Sequence, residues 1–257
     1  MEVEGRLLES SNRALRTVLH LSDAQTRAIY KPAVTERPLW DFPDGTLAHR
    51  EVAAYAVSEA GGWGLVPPTI LREGPAGHGS FQQWIESPVA TEGEADAALL
   101  AILPPDEVAD GWLPVLDAQG PAGEPVVVAH ADRPDLASAA VFDAVVNNAD
   151  RKGSHLLLDA AGHLWGFDHG VTFHSEPKLR TLLWGWAGRS LPESDLARLE
   201  SVHQALSDTD SELSRQLTSL LLADEVAALR HRVVALLDSG RFPRPRDEGP
   251  AIPWPPW

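Results

Sequence analysis

The chain has 257 residues, 44% of them hydrophobic, with no cysteine and a formal net charge of −16 from 21 basic and 37 acidic residues. That length accommodates one large domain or two small ones and buries a substantial core. The acidic balance argues against a nucleic-acid-binding face and against docking on an anionic membrane. The absence of cysteine excludes disulfides, cysteine–zinc sites and thiol catalysis. No apolar run is long enough to span a bilayer, and Met1-Glu2-Val3-Glu4 lacks the basic region of a signal peptide, so a soluble cytoplasmic protein is expected.

The N-terminal stretch reads as three strands, at 3–9, 14–21 and 26–31, separated by Ser10-Ser11-Asn12 and by Ser22-Asp23-Ala24-Gln25. Ser10, Ser11 and Asn12 offer hydroxyl, amide and backbone N–H donors to phosphate oxygens; an ordinary hairpin turn fits them equally. Lys31 ends the third strand, before Pro32, and is one of only three lysines, with Lys152 and Lys178, against 18 arginines. Residues 45–59 follow as a helix with Thr46 at its N-cap, placing Leu47, Glu51, Ala54 and Ser58 on one face, and Gly61-Gly62 ends it. Residues 69–73 and 80–86 form a hairpin across a glycine-rich turn. Residues 88–135 are acidic and rich in proline and alanine, without a readable period.

Continuous apolar character over 137–146 fits a buried helix leading into the stretch Val145 to Phe173. Asp150 and Asp168 stand there eighteen positions apart, flanking Leu156-Leu157-Leu158, a turn at 159–163, and Leu164-Trp165-Gly166-Phe167. Strand, turn and strand would return the chain on itself and bring both carboxylates to one end. Two carboxylates held together repel unless they share a proton or a divalent cation. Beyond them, Lys178 to Gly188 reads as either a packed aromatic loop or a substrate contact. Three helices close the chain, with capping boxes at Ser190/Glu193 and Thr209/Glu212 and a third helix over 223–237 stopped by Gly240. The Pro/Trp tail from Phe242 favours extended polyproline geometry and docks on the protein's own surface or on a partner.

Asp150-Arg151-Lys152-Gly153-Ser154-His155 followed by Asp168-His169-Gly170 resembles the D-R-H-x-x-N or D-x-H-x-x-N loop and metal-binding Asp turn of the phosphatidylinositol 3-/4-kinases and the HipA-type toxin kinases. The order of hairpin, strand lysine, helix glutamate, catalytic loop and metal turn also matches, over residues 3–175, as in a small bacterial member of that atypical kinase superfamily. Lys152 stands where the family has His, and His155 where it has a metal-binding Asn. The resemblance implies an α+β, bilobal protein-kinase-like fold, with a small β-rich N-lobe over 1–87 and a mainly helical C-lobe over 88–257. It implies an enzyme that uses ATP with Mg2+ or Mn2+ and passes the γ-phosphoryl group to a hydroxyl. The charge favours an acceptor on a protein or soluble small molecule over a membrane lipid.

In that reading Asp150 accepts the hydroxyl proton, while Arg151 and Lys152 neutralise the loop or the transferred group. Lys31 holds phosphate and Glu51 orients it. Backbone groups of Gln83, Trp84 and Ile85 read the adenine edge, and His155 and Asp168 face the metal. Three alternatives stay open. A nucleotide-binding pseudokinase would account for His155, and a nucleotidyl transferase on the same fold would carry a similar ion site. A metal-dependent hydrolase would need only the His155, Asp168, His169 and His174 cluster.

Overall fold

A computed structural model describes residues 1–6, 14–21, 24–36, 39, 42, 46–86 and 99–256. The chain is mixed α+β, with a β-rich N-terminal part and helices toward the C-terminus. A five-stranded antiparallel sheet has the order β1-β2-β3-β5-β4, from β1 (Glu2–Arg6), β2 (Leu15–Leu21), β3 (Ala24–Pro32), β4 (Thr69–Gly74) and β5 (Gly77–Gln83). Ser10, Ser11 and Asn12 lie outside the described residues, as does the expected boundary at Ser87-Pro88.

The two-residue period of β3 separates core from cleft. Ala28, Tyr30 and Pro32 are buried on one face, leaving Ile29 and Lys31 on the other. Tyr30 stacks on Phe81 with ring centroids 4.3 Å apart and donates its hydroxyl to the Gly77 carbonyl. A side chain at Gly74 or Gly79 would strike the Tyr30 ring, so the glycine-rich hairpin is what lets β4 and β5 close over it.

Helix α1 (Leu47–Gly61) packs against this sheet and ends at Gly62 in the left-handed region, φ 69. Thr46 does occupy the N-cap position, but its side chain makes no capping bond. The Glu36 carboxylate accepts the Leu47 and Ala48 N–H groups instead, at 3.1 and 2.8 Å, and its charge suits the positive end of the helix. A carboxylate eleven residues upstream cannot be found by a local capping rule.

The unreadable stretch contains a second antiparallel sheet, ordered β6-β8-β7, from β6 (Leu100–Leu103), β7 (Trp112–Gln119) and β8 (Pro125–Ala131). Prolines at 114 and 125 and a register shift between Pro114 and Leu116 obscure its alternation. Helix α2 (Pro134–Val146) is buried nearly all round, as its continuous apolar character requires, and ends at Asn147 with φ 54. The hairpin of β9 (Leu156–Leu158) and β10 (Leu164–Gly166) forms as expected. Asp159 accepts the Ala161 and His163 N–H groups and the Trp165 indole N–H across its turn.

Helices α3 (Glu193–Ser207), α4 (Glu212–Leu220) and α5 (Ala223–Ser239) complete the main core with α1 and α2. The two expected capping boxes do not form. Pro192 is the N-cap of α3, leaving Ser190 to bridge Arg241, and Ser211 caps α4 by accepting the Ser214 N–H at 3.0 Å. The tail folds back on the protein, where the Ala251 carbonyl accepts the Thr181 N–H and the Trp184 indole N–H. Among the described residues no helix is long and apolar enough to cross a membrane.

Candidate functional site

The site is built on the end of α2. Asp143 is a charged residue on that apolar helix and is fully buried. An isolated buried carboxylate is costly, so partners must reach it. Asn148 donates to it at 2.9 Å, and Arg151 binds it through Nε and Nη2 at 2.9–3.1 Å. The same guanidinium donates to the His155 and Phe167 carbonyls, at 3.2 and 3.1 Å, and approaches His169 Nε2 at 2.6 Å. Arg151 therefore fastens the loop at 150–155 to the turn at 167–170. Arginine is always a donor, so His169 Nε2 accepts and the neutral ring carries its proton on Nδ1. Burial, aided by Arg151, pushes His169 well below the ordinary histidine range.

This places Arg151 away from the cleft. Its expected neutralisation of a transferred phosphoryl group gives way to a positioning role, because all its polar contacts are internal. Asp150, on one side, lines the opening, and on the other Lys152 Nζ lies 3.4 Å from Asp150 Oδ2. Asn148 Oδ1 accepts the Asp150 N–H at 3.0 Å and fixes the loop from below. Burial lifts the Asp150 carboxyl to about 6, with Asp168 adding to the rise and Lys152 opposing it.

Lys31 and Asp168 converge with Glu51 on the same cavity, about 310 Å3 in volume, which Asp150 also lines. The Lys31 ammonium binds Glu51 Oε1 and, at 2.8 Å, Asp168 Oδ1. Glu51 accepts the His169 N–H through its other oxygen at 3.1 Å, so helix, strand and turn are joined through one carboxylate. Burial alone would depress the Lys31 ammonium, but Asp168 and Glu51 raise it above its ordinary value. Burial pushes the Glu51 carboxyl up while Lys31 pulls against it. The Lys31 ammonium holds Asp168 well below the usual carboxylate range, against the effect of burial. Asp168 has φ 55, a region that Asp tolerates better than most side chains.

Helix α1 is held in this rotation by the residue next to Glu51. Arg50 donates to the Thr172 carbonyl and to Glu225 on α5, both at 2.5 Å, and lies over the Phe42 ring. The pair is almost fully buried, so its geometry leaves α1 little freedom to turn. Arg50, Asp143, Asn147 and Asn148 are organising residues that motif reading passes over. Asn147 donates to the His174 and Glu176 carbonyls and accepts the Lys178 N–H. The signal in the sequence was Asp143 within a run of apolar residues and the paired asparagines after it.

His155 Nε2 stands 3.5 Å from Asp168 Oδ2, and its buried Nδ1 has no partner. Burial lowers the ring to about 4, so it is neutral at ordinary pH and able to ligate through nitrogen. Two donors, one oxygen and one nitrogen, fit an ion that arrives with a nucleotide and takes its remaining ligands from phosphate and water. They do not make a self-sufficient cage, and among the described residues no three His, Asp or Glu side chains come together as a metal group. The His155, Asp168, His169 and His174 cluster that a hydrolase would need does not assemble. His169 is turned to Arg151, and His174 stands edge-on to Phe42.

Gln83 and Trp84 donate their backbone N–H groups to the Pro68 and Arg27 carbonyls, both at 2.9 Å. Those two donors are consumed by the sheet and are closed to an adenine edge. Ile85 N–H takes no backbone acceptor among the described residues. The aromatic segment after the turn is packed: Leu182, Leu183 and Trp186 are buried, and Arg151 exchanges backbone bonds with Arg180 and Leu182. The tail reaches the loop itself, where the Pro256 carbonyl accepts the Gly153 N–H at 3.1 Å.

No family model matches the chain. A relative in Mycobacterium tuberculosis, named Protein Rv2133c, is 43% identical over 258 residues, covering 99% of this chain and 91% of that protein. The loop, the turn and the lysine–glutamate pair described above therefore belong to a chain that is a member of the Rv2133c family.

Proposed function

We propose that this protein is an ATP-dependent phosphotransferase on a bilobal protein-kinase-like fold, nearest to the phosphatidylinositol 3-/4-kinase-like and HipA-like group. The observation that carries the reading is Lys31 bound at once to Glu51 and Asp168, in a cavity that Asp150 also lines. Three residues from a strand, a helix and a turn, distant in sequence, meet here, and a strand lysine paired with a helix glutamate beside a metal-turn aspartate supports the reading. Lys31 would contact the α/β-phosphates, with Glu51 keeping it aimed. Asp150 would take the proton of the acceptor hydroxyl as the new O–P bond forms and the bond to the β,γ-bridging oxygen breaks, releasing ADP. Its elevated pKa makes it a better base than an exposed carboxylate. A divalent ion brought with the nucleotide would neutralise phosphate charge, and Asp168 and His155 are the groups that would hold it. Lys152 stands beside Asp150 and offers positive charge to the transferred group. The acidic surface favours an acceptor on a protein or soluble molecule.

A nucleotide-binding pseudokinase is the second reading, favoured by two observations. Lys31 already occupies Asp168, and His155 offers nitrogen where magnesium prefers oxygen. Incubation with ATP labelled at the γ or the α position separates the possibilities. Acid-stable label from the γ position alone is expected for phosphoryl transfer, and label from the α position would mean nucleotidyl transfer. Binding without either would leave the pseudokinase.

A further inference from the structure

A cleft of about 1020 Å3 lies beside the end of α2, between α5, the 175–184 segment and the extended chain after Gly240. Its walls include Ala144, Leu179, Trp184, Leu236 and Phe242, while Arg232, Arg241, Arg244 and Arg246 also line it. Neither Asp nor Glu is among its described lining residues, in a chain that carries −16 overall. None of the four arginines forms an ion pair with a carboxylate among the described residues. Their hydrogen bonds go to carbonyls instead: Arg232 to Val145 and His174, and Arg241 to Gly188. Arg232 Nη2 is buried with no hydrogen-bond partner among the described residues. Burial pulls the Arg232 guanidinium down to about 10, and Glu225, the acidic group that opposes this, is already bound to Arg50.

An acidic protein gains nothing by gathering uncompensated guanidiniums around an apolar cleft unless an anion completes it. Guanidinium groups suit phosphate and carboxylate, and the apolar walls suit a hydrocarbon body. We infer that this cleft binds a small amphiphilic anion, an apolar chain or ring system ending in a phosphate or carboxylate, taken as a free molecule. The strongly negative net charge opposes extraction from an anionic bilayer. The inference does not depend on the nucleotide reading, since none of these residues lines the cavity of Lys31 and Asp168.

Dodecyl phosphate, kept below its micellar concentration, is the probe, with binding to the full chain followed by calorimetry. One-to-one binding is expected, with inorganic phosphate weaker and dodecyltrimethylammonium showing none. The double variant Arg244→Glu/Arg246→Glu should weaken binding by about tenfold or more, since each charge-assisted contact is worth roughly that factor. Both side chains are exposed, so the variant is expected to keep its melting temperature. Ala235→Trp, which fills the cleft from an exposed position on α5, should weaken the same probe without changing charge. Neither variant should alter the stabilisation produced by ATP. The inference fails if the probe does not bind, if neutral dodecyl maltoside binds equally well, or if both folded variants bind as the parent does. It also fails if anionic vesicles co-sediment the protein while monomeric dodecyl phosphate is ignored.

Discussion

Asp150, Arg151 and Lys152 are consecutive, yet they belong to two different electrostatic regions. Arg151 and its partner Asp143 expose none of their side chains, and Arg151 spends its donors on Asp143, His169 and two carbonyls. Lys31 exposes 21% of its side chain and Asp168 49%, in a cavity with room for a ligand. A dry, satisfied ion pair fixes geometry and resists change. A wetter cluster can exchange its partners, which a site must do when substrate arrives. The difference teaches that charge alone does not mark the site: the most deeply buried charge in the loop is scaffold, and the partly exposed ones beside it are open to a ligand.

The sharpest way to separate the two regions is to remove one charge from each. Asp150→Asn is expected to reduce phosphoryl transfer by about 10²–10⁴-fold, the usual contribution of a general base, while leaving nucleotide affinity and melting temperature nearly unchanged. Single-turnover transfer and a thermal melt read both. A variant that transfers as well as the parent would remove Asp150 from the mechanism. Arg151→Met should do the opposite in kind, destabilising the fold by about 3–5 kcal/mol because it leaves Asp143 buried without its counter-charge. Chemical denaturation measures that loss. A change under about 1 kcal/mol would mean that solvent reaches the pair and that the two regions do not differ.

The wetter cluster should respond to ligand. ATP with a divalent ion, at about a hundredfold over its dissociation constant, should stabilise the protein by ~2.7 kcal/mol, a rise of roughly 5–10 °C in melting temperature. Lys31→Ala should abolish most of that rise. No shift with ATP and either magnesium or manganese would exclude both nucleotide readings. A smaller effect is expected at His155. If its nitrogen ligates, manganese should support tighter nucleotide binding than magnesium, and His155→Asn should move the preference back toward magnesium. A preference untouched by the substitution would show that His155 only supports the turn.

The smallest effects are those of pH. Asp150 must be ionised to accept a proton, so the transfer rate should rise through about pH 6 and level above it. Stability moves the other way. The folded pKa lies above the unfolded one, so the native state holds its proton longer, and this group's stabilisation falls as pH rises from about 4 to about 6. Asp150→Asn should lack that component of the pH–stability curve. A rate profile flat between pH 5 and 8 would place the base elsewhere.

Sequence by itself determined the parts whose signals are local. The turn residues before Thr26 marked β3, continuous apolar character marked α2, and turn chemistry at Asp159 and Gly162 marked the β9–β10 hairpin that returns Asp168 toward Asp150. Lys31 and Glu51 were legible as a strand lysine and a helix glutamate, and it was the kinase resemblance, not periodicity, that paired them. Tertiary structure alone decided which charges meet. It turned Arg151 inward to Asp143, gave the α1 cap to Glu36 instead of Thr46, and spent the Gln83 and Trp84 N–H groups within the sheet. It also built β6–β8 from a stretch whose prolines and register shift hide the period. The physical reason is the same throughout: propensity and periodicity act between near neighbours, whereas the satisfaction of a buried charge or a helix end is settled by whichever group the fold brings within about 3 Å.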